Sequence, residues 1–591
     1  MSLAAWACTV WLGGVSAVNG VGPVPAEQRY VDDWKFLAAT IRSDYAGFAC
    51  KPHLDWKAIA ARFEPRFERC ASDVDHVRLV MEALAALEDS HTGVLGHQVD
   101  AAQLPGKWDG LYGAGLCIGF DAGKWLVRGA MPGSPLADSL PAGSRLQEVG
   151  GLPAWYAMGR EQRRVARFIG LSSDRSFWAS SCNRALPFGE ARTVPARFLL
   201  PDGKERKVEL PRWGPDGKSF DVVSLCLPEG VARADGAVAA RWPQSWSKQL
   251  GFLKVTGGQD AETVKAFHAA FDSLQGIDAL LLDCRGMGGG SDACAWEMCG
   301  RLFPKAVANG RYGKLEPTGA WQFDGPVVML QDEMEVSSAE TFTWTLCETK
   351  RVISVGRATG GWGIIPKSYA LPSGLGRFRL GIDWRKTPIT NASTEECGWP
   401  ADVTLPYGPL LLGWSSAERD PMPDPAMELG LVVLRTLHAG VAIDDARAAF
   451  AALAGGNFTA YDAFEKKAAA KAKALAGEKL RKRFAEDLEA ELEQELAAVW
   501  DDALPPDWVG AARRLPGLLA RAKAAGLTAK AAPLDKAVKG AKGEVAAQQA
   551  LLDLHADPEA TAPSDPARRK EWLQKHGATR TGAWVKGTLW K

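Results

Sequence analysis

The stretch "DALLLDCRGMGGGSDACAWEMCGRLF", residues 278–303, decides the fold. It opens on a short apolar run, the pattern of a strand buried on both faces. Gly286, Gly288, Gly289 and Gly290 follow, and residues 291–303 then carry helical spacing. Strand, glycine turn and helix make the repeating unit of an α/β protein. The same alternation continues on either side. "GFLKVT" (251–256) reads as a strand and "AETVKAFHAAFDSLQ" (261–275) as a helix. "PVVMLQD" (326–332), "SSAETFTWTLCE" (337–348) and "RVISVG" (351–356) read as strand, helix and strand, and residues 424–440 as a closing helix. These elements predict a covered, mainly parallel sheet over 213–440.

Three further regions flank it. Residues 25–105 place apolar side chains at helical spacing in "QRYVDDWKFLAATIRSDY", "DWKAIAARFEPRFERC" and "DVDHVRLVMEALAAL", which predicts an N-terminal helical domain. Residues 108–212 change to short strands. "GAGLCIGF" and "KWLVRGAM" flank an Asp-Ala-Gly turn, and "ARFLLPDGKERKVELP" reads as a hairpin turning at Asp202-Gly203. Residues 441–591 are rich in Ala, Lys and Glu, which predicts a helical C-terminal region whose role the sequence leaves open.

A chain of 591 residues exceeds one core, so several domains are expected. Its 23 tryptophans favour packed domains, because each ring needs apolar area to bury. Net charge is zero, and only a small excess of cations marks the C-terminal region, which argues against a nucleic-acid partner. Residues 3–18 are uncharged and mostly apolar, too short for a stable membrane span. "VSA" at 15–17 fits signal cleavage, so 1–20 is read as a signal peptide and the protein as exported, periplasmic or extracellular. No Lys or Arg precedes that run, which argues the other way, for a cytoplasmic protein, unless the true start lies upstream. Of the 11 cysteines, Cys50 and Cys70 are the one disulfide pair suggested. There is no C-x-x-C or H-E-x-x-H, and no metal or cofactor is expected.

Four stretches offer chemistry. In "SSAE", Ser337 and Glu340 fit a helix capping box, and a helix start also favours negative charge nearby. The glycine cluster lets successive amides point at one anion. It lacks the Gly-Lys-Ser/Thr of a P-loop and the third glycine of G-x-G-x-x-G, which disfavours a nucleotide-binding protein. His91 in "EDSHTG" is a candidate general base. Glu395 and Glu396, adjacent in "NASTEECGWPADVTL", are candidate orienting carboxylates.

The order of these stretches, from about 28 to 438, resembles that of the S41 serine peptidases, which include carboxy-terminal processing proteases, the tricorn core and the retinoid-binding-protein repeats. "LAALEDSHTGV" resembles the family's L-x-D-x-H-T. "LLLDCRGMGGG" resembles D-x-R-x-N-x-G-G, with Met287 in place of Asn. "VSSAETF", "VGRATGGWG" and "ECGWPADVTL" resemble S-A-S-x-E, V-G-x-x-T-x-G and G-V-x-P-D-[IV]. Residues 108–212 resemble a PDZ domain, whose carboxylate-binding loop falls at Gly113, Gly115 and Leu116. The resemblance implies a ClpP/crotonase-like core sheet and a peptide or unfolded-protein substrate. The Ser-Lys branch carries its lysine where this chain has Trp362, and the next lysine is Lys367, which points to the Ser-His-Glu branch instead. That branch implies Ser337 as nucleophile, His91 as base, Ser90 as its helper and Glu395, rather than Glu396, as the orienting carboxylate. Gly289 and Ser338 would supply the oxyanion amides, with Gly288 as the nearest substitute. A silent relative that binds peptides or apolar ligands without cutting them is the alternative. Assembly state is not legible.

Overall fold

The computed structural model describes residues 26–104, 115–121, 124–130, 134–175, 177, 193–211, 234–406, 424–468, 477–499, 505–554 and 566–590. The leader-like stretch 1–20 and Gly113 lie outside them. The chain divides into two compact units. The first draws on Met1–Asp109, Gln162–Ser172 and Trp362–Arg385, the second on Gly110–Glu161, Ser173–Gly361 and Lys386–Lys591.

The second unit holds the expected sheet. Its six strands run in the order Val403–Thr404, Ile353–Gly356, Val327–Gln331, Ala279–Asp283, Leu250–Val255 and Ala237–Arg241. All neighbours are parallel except the last pair. Strand side chains alternate between faces, and both faces are covered. Leu280, Leu282, Val327 and Met329 pack with the helices Ala261–Asp272, Asp292–Cys299 and Ser338–Glu348. Leu281, Val328, Leu330 and Val355 pack with Leu429, Val433 and Leu437 of the helix Pro425–His438, and onward with Leu480, Leu488, Leu515 and Leu518. Double coverage explains why these strands read as continuous apolar runs. It also gives the C-terminal helices a place in the core.

The second unit also carries an antiparallel sheet, ordered Leu116–Asp121, Lys124–Ala130, Arg145–Val149, Thr193–Leu199 and Glu205–Pro211. Both expected hairpins form, with Asp121 opposite Lys124 and Leu199 opposite Glu205. The helix Gly477–Val499 meets this sheet through buried charge. Lys124 Nζ lies 2.6 Å from Glu491 Oε1, and Arg145 Nη1 lies 3.0 Å from Glu495 Oε1. Glu495 also binds Arg514 at 2.9 Å, and Arg514 binds Asp507 at 3.0 Å. Burial alone would raise the Glu495 carboxyl, but Arg145 and Arg514 hold it below its usual range.

The first unit packs the helices Ala26–Asp44, Trp56–Glu68 and Asp73–Ala85 with a three-stranded antiparallel sheet, Gly93–His97, Gly376–Trp384 and Ile364–Ala370. Asp55 and Ser72 cap two of the helices through the amides of Ala58 and Asp75. Cys50 and Cys70 are not joined in a disulfide, which corrects the suggested pair: Cys50 Sγ faces the Gly47 carbonyl and Cys70 Sγ the Ser72 carbonyl. Among the described residues no helix is long and apolar enough to cross a membrane.

Candidate active site

Ser337 lies between the strand Val327–Gln331 and the helix Ser338–Glu348 with φ 61° and ψ −125°. A side-chain-bearing residue adopts this conformation at a cost of about 1–3 kcal/mol, and such strain concentrates at functional sites. A sharp strand-to-helix turn of this kind holds a serine hydroxyl clear of the sheet. Glu340, on the helix's first turn, fixes it. Its Oε2 accepts the Ser337 N–H at 3.1 Å, the half of the capping box supplied by the glutamate. Its Oε1 accepts the Thr359 hydroxyl at 2.6 Å and the Gly361 N–H at 3.0 Å.

The glycine turn comes against Ser337. A Cβ on Gly289 would overlap Ser337 Cβ and lie 2.8 Å from its Oγ, so only glycine fits there. The Gly288 N–H donates to the Gly257 carbonyl at 3.3 Å. Among the described residues the amides of Gly289 and Ser338 have no acceptor, whereas the Ser338 hydroxyl donates to the Gly290 carbonyl at 2.9 Å. Buried charge anchors this turn from below. Arg285 Nη2 lies 2.8 Å from Asp283, Lys254 Nζ lies 3.0 Å from Asp283, and Arg285 Nη1 lies 2.8 Å from Asp424. Burial opposes the Asp283 charge, yet Arg285 and Lys254 hold its carboxyl down to about 2. Asp332 Oδ1 accepts the Gly286 and Met334 amides, both at 3.0 Å. Burial, with Glu333 adding, raises the Asp332 carboxyl to about 6.

The loop carrying the glutamate pair joins the same unit. Thr359 Oγ1, besides donating to Glu340, accepts the Trp399 N–H at 2.6 Å. The Gly361 carbonyl accepts the Glu396 N–H at 3.1 Å. Glu395 is buried, while Glu396 is exposed at φ 66°. Ser173 Oγ donates to the Gly360 carbonyl at 2.5 Å, and Arg175 binds the carbonyls of Thr359 and Cys397. Ser337, Gly289, Ser338, Glu340 and the 394–399 loop thus share one connected framework.

His91 belongs to the first unit. It is 5% exposed, and its N–H donates to Asp89 Oδ1 at 2.8 Å. Asp89 Oδ2 accepts the Thr92 hydroxyl at 2.6 Å. Burial raises the Asp89 carboxyl, against the lowering effect of these two donors and of Lys51 and Arg379. Ser90 and Ser172 bind each other twice, each N–H donating to the other's Oγ at 2.9 and 2.8 Å. Trp362 packs edge-on to the imidazole, centroids 5.3 Å apart. Lys367 is exposed, with Nζ 5.2 Å from the Tyr369 ring centroid. Asp89, Ser172, Thr359 and Arg175 escaped the sequence reading. Asp89 and Thr359 lie inside the stretches quoted for the resemblance without being singled out, whereas Ser172 and Arg175 bind partners 82 and 222 residues away and have no local signature. Gly115, at φ 71°, and buried Leu116 open the strand Leu116–Asp121, which is an edge of its sheet among the described residues.

A mainly parallel, doubly covered sheet with a strained serine beside a glycine turn defines an α/β protein. Residues 249–403 match the model of peptidase family S41. A Streptomyces coelicolor protein described as tricorn protease homolog 2 is 33% identical over 116 residues, which are 18% of this chain and 10% of that protein. The chain therefore spans about a tenth of the length of this curated relative. Similar solved structures include mature CPAF, at 14% identity over 69% of this chain and 97% of that one, TM-score 0.47. The photosystem II D1 C-terminal processing protease is similar at 20% identity over 67% and 100%, TM-score 0.38.

Proposed function

We propose that the protein is a serine peptidase that hydrolyses peptide bonds of unfolded or short peptides through an acyl-enzyme. The observation that carries this reading is the strained Ser337 turn packed on Gly289. Ser337 Oγ attacks the scissile carbonyl, and His91 takes its proton. The amides of Gly289 and Ser338 receive the oxyanion; Gly289 is preferred to Gly288 because the Gly288 amide already has an acceptor. Glu395, buried where Glu396 is exposed, orients the imidazole and stabilises its charged form. Ser90 assists the base from the adjacent position. His91 then protonates the leaving amine, and water releases the acyl group.

The core sheet is assigned to the ClpP/crotonase type. The antiparallel module of the second unit is assigned as PDZ-like: a peptide adds as a strand to the edge Leu116–Asp121, its carboxylate meeting the amides around Gly113, Gly115 and Leu116. The protein is assigned to an exported compartment on the character of residues 1–20. The deciding experiment incubates the full chain with an unfolded protein substrate beside Ser337→Ala and His91→Ala. Cleavage by the wild type alone is expected. Cleavage that survives Ser337→Ala refutes the assignment, and binding without cleavage by any form returns the chain to a carrier role.

A further inference from the structure

We infer that Trp362 and the Ser90–Ser172 pair are positioning residues for the His91 imidazole, an inference that rests on the peptidase reading above. All belong to the first unit, and they act on different degrees of freedom. The backbone of 89–92 is fixed by Asp89, which accepts the His91 N–H at 2.8 Å and the Thr92 hydroxyl at 2.6 Å. Thr92 Oγ1 in turn accepts the Gly381 N–H at 3.0 Å, which ties the turn to the strand Gly376–Trp384.

Ser172 locks the turn from a segment 82 residues away. The two serines exchange N–H and Oγ reciprocally, so neither moves without breaking two bonds. Close approach reinforces this lock: a Cβ on Gly170 would overlap the Asp89 carbonyl oxygen. The Ser90 Oγ, one residue before His91 in the chain, is thereby held in place by the Ser172 amide.

Fixing the backbone does not by itself set the two side-chain torsions of the ring. Trp362 restricts that freedom. Its ring stands at 80° to the imidazole with centroids 5.3 Å apart, and the histidine is 5% exposed. An indole neither takes nor gives a proton near neutrality, so its contribution is steric and electrostatic. Perpendicular aromatic packing favours one ring orientation and tolerates a positive charge on the imidazole. Trp362 directly follows Gly360-Gly361, the loop bound to Glu340, so the residue that steadies the base is a chain neighbour of the nucleophile's support.

The test uses the full chain with Trp362→Ala, Trp362→Phe and Ser172→Ala. The readouts are kcat and KM across pH, and the NMR titration of the His91 ring, assigned by its loss in His91→Asn. Trp362→Ala is expected to lower kcat by about 100-fold with KM little changed, and to shift the acidic limb of the pH profile. Trp362→Phe restores most of the activity and the wild-type His91 titration, and Ser172→Ala shifts both in the Ala direction by less. A residue that only supports folding would change stability without moving the pH limb. Folded Trp362→Ala and Ser172→Ala proteins in which His91 titrates as in the wild type overturn the inference. Should the wild type show no Ser337-dependent cleavage, the peptidase reading fails, while the His91 titration still decides positioning by itself. Should Trp362→Ala not fold, Ser172→Ala carries the same decision.

Discussion

Gly289 is the residue on which the proposed chemistry of the second unit turns. Its neighbour Ser337 leaves no room for a Cβ, and its amide has no acceptor among the described residues. Gly289→Ala keeps the amide but drives a Cβ into Ser337, so the turn must shift; kcat is expected to fall about 100–1000-fold, as when one oxyanion donor is displaced. Labelling of Ser337 by a fluorophosphonate should fall in parallel, and the overlap should cost about 1–3 kcal/mol of stability, read as an earlier thermal transition. Glu340 is a second pressure point, with three donors on one buried carboxylate. Glu340→Gln would turn an amide donor toward one of those donors and should destabilise the fold by about 1–3 kcal/mol in urea titrations. The sequence showed Ser337 as a cap and Glu340 as its partner, because a helix start has a local signature. The positive φ of Ser337 has none: tertiary packing imposes it. The same holds for Ser90, whose bonds to Ser172 depend on a loop that no periodicity marks.

Elements were legible where their burial is uniform. The strands Leu250–Val255, Ala279–Asp283 and Val327–Gln331 are buried throughout, and their apolar runs announce it. The hairpin Ile364–Ala370 and Gly376–Trp384 went unread. Its strands mix buried and exposed positions irregularly, a bulge interrupts them at Ile365/Pro366, and its third strand, Gly93–His97, comes from the far side of the chain. The loop between the strand Val327–Gln331 and the helix Ser338–Glu348 makes its own prediction. Burial lifts Asp332 from its usual 3.8 to about 6. The native state then binds this proton more tightly than the unfolded chain does, so stability falls as pH rises from about 4 to about 6. Asp332→Asn keeps an oxygen for the Gly286 and Met334 amides and removes the charge. It should flatten that slope and add up to about 3 kcal/mol at neutral pH, measured by urea unfolding at both ends of the window.

At the scale of the molecule, the C-terminal helices had no legible role because their sequence shows only a solvated helical composition. Their buried faces complete the hydrophobic core of the parallel sheet, and their buried acids meet Lys124 and Arg145 of the antiparallel one. Glu495→Gln would leave Arg145 and the two Arg514 contacts to Glu495 without a counter-charge. A loss of about 3–5 kcal/mol is expected, read as an earlier urea midpoint of the second unit. The shared core also sets a schedule for synthesis. Strands from Leu250 to Val355 leave the ribosome long before Leu515 and Leu534, which complete the cluster on that face over the helix Pro425–His438. At roughly 5–20 residues per second, that face stays without its full cover for about 10–40 s on every nascent chain. Holdase chaperones have that interval in which to engage it, and the yield of soluble protein should track their supply more closely than it tracks the stability of the finished fold.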